Sequence, residues 1–208
     1  DSDNFDGSDD ITGTYTPSSW TRSTATIDLF RYGNRLAVQG SGDVTNWGCI
    51  YKSYSRASEG KILQKIDVAS LVQVDSDSFP YAAVGFVGDN SEMFAAQLAR
   101  ISATRIDLNI IETGLHLYPT APYYEIIENG SFTPTAGQTV SIYFLSWDNN
   151  YSAAAVDPSG NILVGLSRRA FFSKLFAHTS ASRAIVLGPY DTTNSSDYLV
   201  EVDNYEKY

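Results

Sequence analysis

Short runs in which apolar and polar residues alternate with a period of two recur along this chain, cut by clusters of Gly, Asn, Asp, Pro and Ser. A helix repeats its faces about every 3.6 residues, so such alternation describes strands with one buried and one wet face. Ile62, Ile66 and Val68 share one parity against Lys65 and Asp67, and Val140, Ile142 and Phe144 oppose Tyr143, Leu145 and Trp147. Thr24 to Phe30 and Arg35 to Gln39 flank Tyr32-Gly33-Asn34, a hairpin turn whose Gly-Asn pair accepts positive φ. Tyr151 to Val156 and Ile162 to Leu166 flank a second turn, Asp157-Pro158-Ser159-Gly160. Ala82 to Val87 ends at Gly88-Asp89-Asn90, and Tyr123 to Ile127 ends at Glu128-Asn129-Gly130. Ile106 to Glu112, Arg183 to Leu187 and Tyr198 to Tyr205 complete the set. Phe94, Leu98 and Ile101 fall near helical spacing, but Ser91 to Ile101 lies between strands and is read as one itself.

The expectation is an all-β, two-sheet antiparallel sandwich, with the 208 residues forming one domain. Fourteen Tyr, 10 Phe and 3 Trp supply the aromatic area to fill the gap between two sheets. Charge excludes one partner class: 24 Asp and Glu against 14 Lys and Arg leave a formal net charge of -10, without the basic face that nucleic acid requires. A single cysteine, Cys49, rules out an intrachain disulfide, and it reads as a small core residue. No apolar run reaches the length of a membrane helix, so membrane insertion is not expected. The chain opens on Asp1 without Met or a signal segment, so a leader or larger parent is expected. A surface rich in Ser, Thr, Asn, Gly and Tyr but poor in Lys has the texture of extracellular or virion-surface proteins. Asn129, Asn150 and Asn194 head Asn-x-Ser sequons, which act only where the source glycosylates exported proteins.

The chain begins Asp3-Asn4-Phe5-Asp6-Gly7, continues through Ile11-Thr12-Gly13, Trp20-Thr21, Asn34-Arg35-Leu36 and Trp47-Gly48, and closes on Val202-Asp203-Asn204-Tyr205. With Ala136-Gly137-Gln138-Thr139-Val140 between them, this order resembles laminin-G-like, concanavalin A-like jelly-roll domains over nearly its whole length. The resemblance implies a jelly roll of the kind found in bacteriophage tail and virion proteins and in secreted carbohydrate-active proteins. The echo of Asp3-Asn4-Phe5 in Asp203-Asn204-Tyr205 places the first and last strands side by side.

Hydrolases on that fold carry a Glu-x-Asp-x-(x)-Glu strand, and Glu201-Val202-Asp203-Asn204-Tyr205-Glu206 has its letters. Its place at the end of the chain is wrong for the family. Without a bulge, moreover, Glu206 would point away from Glu201 and Asp203, so no catalytic residues are assigned. Asp107, Glu112, Glu125 and Glu128 read as solvated positions. The acids at the N-terminus, with Asp203 brought near by the fold, have the hard oxygen donors of a calcium site, for which Asp3, Asp6 and Asp203 are the candidates. Aromatic faces beside polar side chains suit glycans or a cell-surface polysaccharide: Tyr123 and Tyr124, one of which must face outward on a one-sided strand, and Trp147 beside Asp148 and Asn149. The function expected is a non-enzymatic, virion- or tail-associated structural and adhesion domain. It would sit in an oligomeric assembly among other virion or cell-surface proteins. A carbohydrate-binding module of a secreted bacterial protein ranks next, and a glycoside hydrolase third.

Overall fold

The computed structural model describes residues 2–22, 28–39, 48–53, 61–74, 78–87, 93–114, 123–147, 150–169, 182–188 and 198–208. Among them all the regular secondary structure is β. The strands are β1 (Ser2–Asp3), β2 (Thr21–Arg22), β3 (Phe30–Tyr32), β4 (Arg35–Gln39), β5 (Gly48–Ser53), β6 (Lys61–Leu71), β7 (Tyr81–Val87) and β8 (Met93–Ser102). They continue with β9 (Arg105–Gly114), β10 (Tyr123–Phe132), β11 (Val140–Trp147), β12 (Asn150–Val156), β13 (Ile162–Arg169), β14 (Ser182–Gly188) and β15 (Tyr198–Lys207).

Two antiparallel sheets face each other. One has eight strands in the order β13-β12-β11-β6-β15-β4-β3 with β1 added on β15, and the other has seven in the order β10-β9-β8-β7-β14-β5-β2. The chain is thus the jelly-roll sandwich that the alternation and the resemblance led us to expect. Ser2 pairs with Glu206 and Asp3 with Tyr205, so the first and last strands do lie together. Gly33 and Asn34 take φ of 58° and 62°, the paired left-handed conformation of a tight hairpin turn between β3 and β4. The stretch of mixed periodicity is strand β8.

The core between the sheets is built from alternate residues: Ile62, Ile66 and Val68 of β6, Ile142 and Phe144 of β11, and Val84, Phe86, Phe94, Leu98, Leu108, Ile110 and Ile185 of the facing sheet. Phe94 and Tyr151 meet at 4.2 Å between centroids, with Phe144 and Phe86 beside them. A polar clamp also crosses this core. Tyr205 Oη donates to Gln64 Oε1 at 3.2 Å and accepts from Arg183 Nη1 at 3.3 Å, while Gln64 Nε2 donates to the Gly85 carbonyl at 3.1 Å.

Two sequence expectations need correction. Glu128-Asn129-Gly130 is not a turn but the interior of β10, which absorbs one extra residue in a bulge between Ile126 and Glu128. A Cβ on Gly130 would lie 2.5 Å from Val164 Cγ2, so glycine here serves the close approach of β10 to β13. Asp107 is buried rather than solvated, and it accepts two hydrogen bonds from Arg105, at 2.6 and 2.9 Å.

Candidate functional site on the eight-stranded sheet

The two sheets differ on their outer faces. In the seven-stranded sheet Ala83, Met93, Ala95, Ile111, Ala184 and Val186 form a second buried apolar cluster, facing away from the inter-sheet core. Beside it, Asn109 Nδ2 donates to Gln97 Oε1 and Asn129 Nδ2 donates to Asn109 Oδ1, an amide ladder across β8, β9 and β10. Gln97 and Asn109 are themselves buried. The eight-stranded sheet instead leaves its outer face half-exposed, with charged, amide and aromatic side chains across β3, β4, β15, β6 and β11.

Strand β15 supplies the spine of this face through two irregularities. A register slip between Tyr198 and Val200 lets both Leu199 and Val200 enter the core, so that Tyr198 joins Glu201 on the outer side. A second slip, between Asp203 and Glu206 with Asn204 at φ 48°, puts Glu206 on the same side as Glu201 and Asp203. The bulge that the sequence did not reveal is therefore present, and Val200, Val202 and Tyr205 remain inside.

Neighbouring strands partner these acids. Arg35 Nη1 of β4 reaches Glu201 Oε2 at 2.6 Å. Lys65 Nζ of β6 lies 3.0 Å from Glu206 Oε1 and 3.4 Å from Asp67 Oδ1. Burial works against the charge on Lys65, but the hydrogen bond to Glu206 and the fields of Asp67 and Glu206 outweigh it and raise its pKa. Asp67 also accepts from Ser141 Oγ at 2.6 Å and from Asn204 Nδ2 at 3.0 Å. Burial raises the Asp203 carboxyl above its ordinary range, with Asp6 and Asp67 adding to it against the Asn204 amide and Arg35.

At the β3 side the face becomes aromatic. Tyr32 and Tyr198 stack at 4.4 Å between centroids and 21° between planes, and Phe30 meets Tyr198 edge-on at 5.6 Å. Phe30 and Ala37 pair across β3 and β4 and belong to neither apolar cluster, so they form a buried footing on the outer side. Tyr32 keeps 44% of its surface exposed. The N-terminal segment borders this end, with Gly33 N–H donating to Asp9 Oδ1 at 2.9 Å and Gly7 N–H to Asn34 Oδ1 at 3.3 Å.

Of the residues singled out from sequence, Trp147 lies half-buried on the outer parity of β11, opposite Lys61 and Asn150. Asp148 and Asn149 lie outside the described residues. Tyr123 and Tyr124 pair with Gly114 and Thr113 at the start of β10, and their side chains lie outside the description, as does that of Cys49. Asp3 is committed elsewhere: Oδ1 accepts from Phe5 N–H at 3.0 Å and Oδ2 from Trp20 Nε1 at 2.9 Å. Asp6 and Asp203 are near enough to feel each other's charge. Among the described residues no group of three His, Cys, Asp or Glu side chains converges to hold a metal ion. Sequence reasoning missed Tyr32, Tyr198, Arg35, Lys65 and Asp67 as site residues. Tyr32 could have been found as an aromatic abutting a Gly-Asn turn, whereas the bulge hides Tyr198.

No protein-family model matches this chain, and no curated protein matches its sequence. Solved structures match its fold. The CBM2 module of the evolved Dit of Lactobacillus casei BL23 phage J-1 superposes with a TM-score of 0.62 at 8% identity, over 99% of this chain and 95% of that one. Lectin II from Ulex europaeus gives a TM-score of 0.57 at 10% identity, over 99% and 97%. The xyloglucan PUL GH43B protein of Bacteroides ovatus gives 0.63 at 12% identity, over all of this chain but 38% of that one. The likeness is one of fold: a jelly roll shared by a phage module, a plant lectin and part of a carbohydrate-active protein.

Proposed function

We propose that this jelly roll is a non-enzymatic structural and adhesion domain of a virion or tail-associated protein, outside the cell and in an oligomeric assembly. In this reading it engages cell-surface glycans through the outer face of its eight-stranded sheet. The observation that carries the reading is the contrast between the two outer faces, one carrying a second buried apolar cluster beside an amide ladder and the other presenting a row of cross-strand ion pairs and stacked tyrosine rings. Sugars need such a surface, since their CH faces stack on aromatic rings and their hydroxyls take polar neighbours. The fold likeness to a phage Dit module and to a lectin is compatible with that setting, while the function itself rests on the site and not on the fold. A glycan array tests it: saturable binding that Trp147→Ala weakens is expected, and an array blank at all glycans would sink the reading. Placement in a secreted protein beside a catalytic domain, instead of a symmetric particle, would favour a secreted carbohydrate-binding module.

A second reading rests on the Asn204 bulge, which collects Glu201, Asp203 and Glu206 on one face as a glycoside hydrolase strand would require. Against it, Glu201 and Glu206 are each held by a cation of a neighbouring strand, the arrangement of cross-strand ion pairs. Incubation with a panel of β-glucans separates the two. The adhesion reading expects no new reducing ends, whereas hydrolysis abolished in Glu201→Gln would establish the enzyme.

A further inference from the structure

We infer that the Tyr32–Tyr198 stack is a pyranose-binding subsite selective for sugar residues that carry no acidic group. This rests on the glycan-binding reading above and assigns it a place on β3, β4 and β15.

Three observations converge on that place. The rings are stacked on each other and footed on buried Phe30, so their planes are set before any ligand arrives. A platform ordered in advance loses little side-chain freedom on binding. Tyr32 remains 44% exposed in spite of that packing, which leaves ring surface for the CH face of a sugar. Donors and acceptors for hydroxyls stand beside it, since Arg35 and Glu201 are joined at 2.6 Å on the adjoining strands. Asp9 and Glu201 lie close enough to act electrostatically on the Tyr198 hydroxyl, which places those carboxylates around the platform.

The selectivity follows from the sign of the surroundings. Asp9, Glu201 and Asp203 are acidic, Arg35 is engaged with Glu201, and the whole chain carries a net charge of -10. A uronate or sialate would meet repulsion in that field, a neutral hexose none, and a protonated amino sugar attraction, all reduced by salt.

The test titrates the full chain with three hexasaccharides of one ring size: glucosamine, N-acetylglucosamine and galacturonate. Binding is expected in the order glucosamine, then N-acetylglucosamine, then galacturonate, with the spread narrowing as salt is raised. Tyr32→Ala is expected to weaken the first two by about tenfold or more, while Tyr32→Phe, which keeps the ring face, stays within about threefold. The exposed control Ile11→Ser should match the parent, and near-unchanged melting curves establish that each variant is folded. Equal binding by Tyr32→Ala and the parent would overturn this subsite and leave the glycan reading standing. Galacturonate binding as tight as that of N-acetylglucosamine would overturn the selectivity. No binding of any hexamer overturns the proposal, and a blank glycan array alongside it removes the glycan reading too.

Discussion

Asp203 stands half-buried on the outer face with Asp6 and Asp67 close by, and its carboxyl is held above the ordinary range chiefly by burial. A carboxyl whose pKa is higher folded than unfolded supports folding in acid, below its unfolded pKa. It loses that support as pH rises through the folded value. Asp203→Asn is therefore expected to raise the melting temperature at pH 7 and to change it little near pH 3, measured by thermal melts across that range. A variant no more stable than the parent at neutral pH would show that Arg35 and the Asn204 amide offset the burial. Asp203 is where the sequence was half legible. Its acidic setting could be read from the letters Glu201, Asp203 and Glu206, but their common face could not, because a single residue, Asn204, takes a left-handed φ that nothing nearby in the sequence demands.

At the scale of elements, legibility followed burial on one face. Strands β6, β11 and β12 alternate in burial as they alternate in sequence, and the hairpin at Gly33-Asn34 follows from its turn residues. Strands β7, β8 and β14 do not alternate, because both faces of their sheet are buried and each side chain meets apolar neighbours whichever way it points. Strand β10 misled for a different reason. Asn129 and Gly130 are turn formers by type, yet Asn129 serves the amide ladder and Gly130 the approach of β13. Gly130→Ala is expected to destabilise the domain by about 1–3 kcal/mol in urea titrations, since its methyl would press on Val164. Val164→Ala in the same chain should recover part of that loss, and purely additive effects would mean that the two strands do not press on each other there.

Across the whole molecule, the unequal outer faces divide the sandwich into a sheet shielded on both sides and a sheet shielded on one. The backbone amides of β7, β8 and β14 lie in the middle of the shielded sheet, flanked by apolar clusters above and below. Their protons can reach deuterium only by the largest openings of the structure, whereas those of the edge strand β3 need only local fraying. Hydrogen exchange followed by mass spectrometry should find β7, β8 and β14 protected longest and β3 exchanged early. Comparable protection in β3 would contradict this division. A domain with that division can open at the rim of the eight-stranded sheet while the seven-stranded sheet behind it stays closed. Exchange at β3 would then report local opening alone, and exchange at β7, β8 and β14 the opening of the whole sandwich.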